Sequence, residues 1–155
     1  YSARRPNSAS IGTRAYQMAL FVVFESGLQM LADNPTLYYN NDDCIRFISS
    51  VPVLWDDTKV LDAKLGEHLV VAKRNGEKWF LGGMTAERKE PLEIDAVLDF
   101  LPEGKVFRLT SFEDGINADR QAMHYVKNVR EVRKGDTVKI RMVRNGGYAA
   151  SLEAL

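Results

Sequence analysis

The sequence predicts an α+β chain, with a helical N-terminal segment followed by an all-β antiparallel sandwich. Two observations carry this. Up to Pro52 the apolar residues recur at helical spacing, and after Pro52 the period falls from 3.6 to 2. From there to the C-terminus roughly eight short alternating runs follow one another with turn signals and no helix between them, the pattern of an antiparallel sandwich.

Residues 1–10 are polar, with Pro6, Asn7 and three serines, and read as a loop or frayed end. Ser10 or Thr13 can cap the helix that follows. That helix is expected over Ile11–Leu31. Its middle, Met18–Phe24, is apolar on every side where a surface helix would show a polar back. Arg14, Gln17, Glu25 and Gln29 bracket the apolar run, so it is too short and interrupted to span a bilayer. Gly27 falls inside this helix, and Asp33-Asn34-Pro35 ends it, since a residue before proline avoids the helical region. Thr36–Pro52 reads as a turn and a shorter helix. Asn40, Asn41, Asp42 and Asp43 offer cap side chains, Asp42 or Asp43 being preferred, and Cys44, Ile45, Phe47, Ile48 and Val51 form its apolar face.

Val53–Trp55 and Lys59–Leu65 are the first strand candidates. His68–Lys73 and Lys78–Gly82 flank Asn75-Gly76, a hairpin signal because Asn-Gly supplies the positive φ angles of a type I′ turn. Alternation along the second strand puts Trp79 and Leu81 on one face and Phe80 on the other. Pro91–Leu101 is either a strand with a bulge or a short helix. Val106–Phe112, Tyr125–Val132, Thr137–Val143 and Tyr148–Leu152 complete the set. The chain divides into a helical part, 1–52, and an all-β part, 53–155. Two helices cannot cover Met18–Phe24 by themselves.

The 155 residues suffice for one domain with its own core. With 45% hydrophobic and 27% charged residues the composition is globular. Basic and acidic residues number 21 each, so no global field favours nucleic acid or an anionic membrane. The single cysteine, Cys44, allows neither an intramolecular disulfide nor a thiolate metal site. The chain starts at Tyr1 without Met and without a signal peptide, which reads as a piece of something longer.

The residues offer no catalytic constellation. His68 and His124 stand alone, without Cys or Glu at ligand spacing. Asp42-Asp43, Asp56-Asp57 and Glu113-Asp114 read as caps and turn formers, whereas a glycosidase needs two carboxylates facing each other across a sugar site. Trp55, Trp79, Tyr125 and Tyr148 would form a sugar platform if exposed, and core if not. Arg130, Arg133, Lys134, Lys139, Arg141 and Arg144, interleaved with acids, read as the solvated face of a hairpin. Gly82–Thr85 follows a strand but precedes no phosphate-binding helix.

Five separated, collinear blocks carry a family resemblance: Gly12–Leu20, Glu25–Asp33, Phe47–Pro52, Trp55–Leu61 and Trp79–Thr85. They resemble the C-terminal end of glycoside hydrolase family 97. The resemblance implies an enzyme with an N-terminal β-sandwich, a central (β/α)8 barrel and a C-terminal antiparallel sandwich. It implies hydrolysis of α-glucosidic or α-galactosidic bonds with calcium at the active site, and export to a periplasm. The catalytic carboxylates and calcium ligands would lie upstream of Tyr1, so no catalytic, cofactor or metal residue maps here. Residues 1–52 would be the last helical segment of the barrel and 53–155 the C-terminal sandwich. Barrel active sites are built from loops at the C-terminal ends of the strands, so Asn7 and Ser8 could line the site's rim.

The leading expectation is therefore a non-catalytic C-terminal part of a glycoside hydrolase, with a packing or oligomerisation role. Its partners would be the upstream barrel and N-terminal domain of the same enzyme and a second copy meeting it through the apolar helix, with no nucleic acid and no membrane. An autonomous carbohydrate-binding module is the alternative.

Overall fold

The computed structural model describes residues 11–31 and 35–155. Three helices precede eight strands: α1 (Arg14–Val23), α2 (Pro35–Tyr39), α3 (Asp42–Ser50), β1 (Asp57–Lys64), β2 (His68–Asn75), β3 (Lys78–Thr85), β4 (Leu92–Val97), β5 (Phe107–Asp114), β6 (Tyr125–Val132), β7 (Thr137–Met142) and β8 (Gly147–Ala154). Six strands form one antiparallel sheet in the order β1-β2-β3-β8-β5-β6, and β4 pairs with β7 in a second. The expected α+β organisation and all-β sandwich are present, but the sandwich is lopsided. The β4-β7 pair covers one face of the large sheet, and α1 and α3 cover the other.

Alternation assigns the two faces. Trp79 and Leu81 of β3 and Tyr148, Ala150 and Leu152 of β8 point toward β4-β7. There they meet Ile94, Ala96, Val138, Ile140 and Met142 in the main core. Phe80 and Ala149 point the other way, into a second core with Met18, Ala19 and Val22 of α1, Cys44 and Phe47 of α3, and Phe112 of β5. Each large apolar side chain so buried stabilises the fold by about 1.5–3 kcal/mol. The helical part thus uses the β part as its floor.

Several local expectations are corrected. The first helix stops at Val23 and not at Leu31, so Gly27 lies in the exposed segment beyond it and Pro35 opens α2 instead of ending α1. Thr13 is the N-cap, its side chain accepting the Tyr16 N–H at 3.1 Å. Thr36–Pro52 holds two short helices, with proline at the first position of α2, where its missing N–H is harmless. Asn41, not an aspartate, precedes α3, and Asp42 and Asp43 occupy its first turn, where the helix dipole favours negative charge. Val53–Trp55 is not a strand, since pairing begins at Asp57. In the β2-β3 hairpin Asn75 pairs with Lys78, so the loop is Gly76-Glu77. Only Gly76 has positive φ, the arrangement of a II′ turn and not I′. The basic run is no hairpin, because β6 pairs with β5 whereas β7 belongs to the other sheet.

The approach of α1 to the sheet is set by glycines. A Cβ on Gly147 would stand 2.3 Å from the Cα of Tyr16, and one on Gly82 would stand 2.9 Å from a Val23 methyl. Helix backbone cannot yield as a side chain can. Gly147→Ala should therefore cost about 1–3 kcal/mol by forcing α1 off β8. Gly27→Ala, with nothing within 4 Å, should change stability by less than about 0.5 kcal/mol. Urea unfolding of both variants is the measurement, and equal midpoints would contradict this account of the seam.

Candidate functional site

Two buried polar residues fix α1 on the sheet, one at each end. At the N-terminal end Asp114, the last residue of β5, is 7% exposed. Its Oδ2 accepts the Val143 N–H at 2.9 Å and the Gly147 N–H at 3.1 Å, tying β5 to the β7-β8 turn. Gly146 is close-packed on the same oxygen. The Thr13 N–H donates to the Asn145 carbonyl at 3.0 Å and the Arg14 N–H to the Ala122 carbonyl at 2.7 Å. The first free amides of the helix are thereby satisfied by the two loops beneath it. Asn145 is the one non-glycine residue with positive φ among those described, at 49°.

Burial pushes the Asp114 carboxyl above its ordinary value, against the opposing pull of the Thr13 hydroxyl, the Val143 and Gly147 amides and the Arg141 guanidinium. A raised folded pKa means that folding favours the protonated acid. The stability it confers is complete below the ordinary value of 3.8 and is lost as pH rises through the folded value. Asp114→Asn keeps an acceptor oxygen and removes the titration. Its stability relative to the native chain should rise with pH across this window and level off above it. Denaturation of both proteins from about pH 3 to 7 checks this; a difference that shrinks with rising pH would mean that the fold stabilises the carboxylate.

At the C-terminal end Lys73 of β2 is 3% exposed and faces the helices. Its Nζ donates to the Val23 carbonyl and to Glu25 Oε1, both at 3.0 Å, and lies 5.4 Å from the centre of the Trp55 ring. A cation at the end of a helix satisfies its free carbonyls and complements its dipole. The Phe24 N–H still bonds the Leu20 carbonyl, and Gln29 Nε2 reaches back to the Phe21 carbonyl at 3.2 Å. Lys73→Met should cost about 1–3 kcal/mol by stranding the Val23 carbonyl. Glu25→Gln, which alters only the exposed partner, should cost under about 1 kcal/mol. Thermal unfolding separates the two, and a neutral Lys73→Met would show that water replaces the lysine.

Beyond Val23 the chain leaves the sheet with its apolar side chains uncovered. Phe24, Leu28 and Met30 are 57%, 73% and 79% exposed, and Leu31 is also exposed. Leu20, on the side of α1 away from the sheet, is only half-buried, whereas Phe21 packs on the second core and Val23 on Gly82. So α1 is covered on its sheet side by Phe80, Phe112 and Ala149, while its other side and the segment after it form an apolar shelf. A shelf of this kind marks an interaction surface.

Elsewhere the candidate residues disperse. Asn7 and Ser8 lie outside the described residues. His68 stands 3.4 Å from Asp62, and His124 packs on Gly115. Asp56 accepts the Gly76 N–H at 2.7 Å in the hairpin turn, and Asp42 and Asp43 pair with Arg46 and Lys127. A depression of about 770 Å³ between the β3-β4 connection and the β7-β8 turn is lined mainly by Arg88, Lys89, Arg141 and Arg144, and its acids Glu87 and Asp119 pair with Arg144 and Arg120. Among the described residues no group of three or more His, Cys, Asp and Glu could hold a metal ion. None of their helices is long and apolar enough to cross a membrane.

The aromatic residues turn inward. Trp79 and Tyr148 are core, and Trp55 and Tyr125 pack against Phe80 and Phe112 with ring centres 5.6 and 5.9 Å apart. They form no sugar platform. Cys44 sits beneath Tyr125, and burial raises both, the tyrosine to about 12. A thiol so raised is a poor nucleophile at neutral pH. The Arg14 guanidinium lies over the Tyr125 ring and donates to Asn41 Oδ1, locking α1 to α3. Neither Lys73 nor Asp114 is legible as an anchor from the sequence, although each lies at a helix-facing position of its strand, where alternation calls for an apolar residue.

Comparison with known proteins agrees with this picture. Residues 54–153 match the family model described as "Glycosyl-hydrolase 97 C-terminal, oligomerisation". A retaining alpha-galactosidase of Bacteroides thetaiotaomicron is 38% identical over 144 residues, covering 93% of this chain and 21% of its own length. A glycoside hydrolase family 97 enzyme of Pseudoalteromonas sp. strain K8, solved with acarbose, superposes with a TM-score of 0.85 at 34% identity, over 97% of this chain and 23% of its own. A beta-arabinopyranosidase superposes at 0.74 with 26% identity, over 95% and 23%. The chain spans about a fifth of the length of the galactosidase. With the family model matched across the sheet strands, the chain belongs to the C-terminal family of glycoside hydrolase family 97.

Proposed function

We propose that this chain is the non-catalytic C-terminal part of a larger glycoside hydrolase, serving to seat the catalytic domain and to join copies of the enzyme. The apolar shelf from Leu20 to Leu31 carries the reading. It adjoins a helix whose other side is fully used by the sheet, and a chain with a fifth of its relatives' length has most of an enzyme left to place there. On this reading residues 1–52 close the catalytic barrel and residues 53–155 are the sandwich attached to it. The sheet is then a floor under the last barrel helix. The B. thetaiotaomicron relative favours a parent that hydrolyses α-galactosidic bonds, with α-glucosidic bonds the neighbouring choice. Calcium at the parent's active site and a periplasmic location complete the proposal, both from the family resemblance alone.

The purified 155-residue chain should hydrolyse neither aryl α-galactosides nor aryl α-glucosides, with or without added calcium. It should show no saturable binding of malto- or galacto-oligosaccharides. Calcium-dependent turnover by this chain would overturn the non-catalytic reading, and saturable oligosaccharide binding would replace it with a binding module.

A further inference from the structure

The large sheet has two edges, and they are built differently. β1 carries a register shift between Val60 and Asp62, a bulge that twists an edge away from pairing. β6 carries none: Tyr125 to Val132 pairs residue for residue with β5, without proline or interruption. Among the described residues β6 has a strand on one side only, and six successive residues, Val126 to Glu131, are exposed on both faces. Val129 is 58% exposed and Val126 41%. Long, regular and partly apolar, such an edge is a template for another strand.

We propose that the occupant is a second copy of the same strand: two β6 edges pair antiparallel about a two-fold axis through Val129, fusing two six-stranded sheets into one. This rests on the oligomeric role proposed above and assigns it a surface. Charge complementarity selects this occupant and its register. A two-fold axis normal to the sheet makes opposed side chains share a face only if it passes through a residue. With the axis at Val129, Lys127 lies opposite Glu131 of the second copy, and Glu131 opposite its Lys127. Val129 meets Val129 between them. On the other face Val126 lies opposite Val132 and Asn128 opposite Arg130. Moving the axis one residue back sets Lys127 against Val129 and Arg130 against Val126. Moving it one forward sets Arg130 against itself and Lys127 against Arg133. Of these three registers only that at Val129 opposes Glu131, the one acid of the strand, to a base. Lys127 is already held by Asp43 at 2.6 Å, so its cation is in place before a partner arrives. An isologous contact of this kind closes on itself and gives a dimer, not a fibre.

Sedimentation velocity of the 155-residue chain tests this, with circular dichroism confirming that each variant is folded. The native chain should sediment as a species of twice 17.5 kDa. Glu131→Lys and Lys127→Glu each place like charges opposite one another in the homodimer and should weaken association about tenfold or more. An equimolar mixture of the two variants restores opposite charges at every pair and should re-form the dimer. As an independent readout, Val129→Cys in a Cys44→Ser background should give a disulfide-linked dimer on mild oxidation, because opposed side chains in a sheet have Cβ atoms about 4.5–5.5 Å apart. A monomeric native chain would overturn both the edge and its oligomeric premise. A dimer that ignores both charge variants but is dispersed by Leu28→Ser would keep the oligomer and remove the edge, placing the interface on the apolar shelf.

Discussion

The structure depends on how closely α1 can approach β8. At Gly147 the helix backbone lies where any other residue would carry its Cβ, and at Gly82 the side chains of Val22 and Val23 fill the same space over β3. That proximity places Met18, Ala19 and Val22 on Phe80, Phe112 and Ala149 and closes the second core. It also dictates the polar chemistry at either end. The amides of Thr13 and Arg14 are met by the Asn145 and Ala122 carbonyls, and the Val23 carbonyl by Lys73. Desolvation of Asp114 and burial of Lys73 are the cost of pressing a helix onto a sheet where glycines bring the two backbones together.

Most strands were legible because they are hairpin-local and alternate cleanly. β6 matched to the residue, and β2, β3, β5, β7 and β8 to within a few residues, since Val, Ile, Phe and Tyr at every second position leave one face to choose. The end of α1 was not legible. Leu28, Met30 and Leu31 continue an apolar pattern, and pattern alone cannot tell a helix from an uncovered segment. What ends the helix is Lys73, fifty residues away in sequence. The partner of β7 was hidden for the same reason: it pairs across the sandwich with β4, not with the neighbouring β6. The dispersal of His68, His124 and the acid pairs Asp42-Asp43 and Asp56-Asp57 was readable from their spacing. The anchors were not, since a lysine or aspartate at an inward position betrays itself only once the inward face is known.

The two faces of the sheet divide the work. Toward β4-β7 the packing is closed and apolar, with Tyr148 the largest side chain wholly enclosed. Toward the helices it is a layered surface, with α3 over Phe112, α1 over Gly82 and Ala149, and an apolar margin beyond Val23. Both faces contribute packed core, and only the second leaves an apolar margin open, while β6 leaves a regular edge with a strand on one side among the described residues.

The position of β8 bears on how the protein is made. It is the last of the eight strands, yet it lies inside the sheet, hydrogen-bonded to β3 on one side and β5 on the other. Until it is synthesised, β1-β2-β3 and β5-β6 are two separate antiparallel pieces with facing open edges, and α1 has no floor at Gly147. A nascent chain can form its local hairpins early but cannot close either core. Folding awaits the final strand, and the contacts that complete it are among the most distant in sequence. During that interval the unfinished edges are the species that a ribosome-bound chaperone would meet.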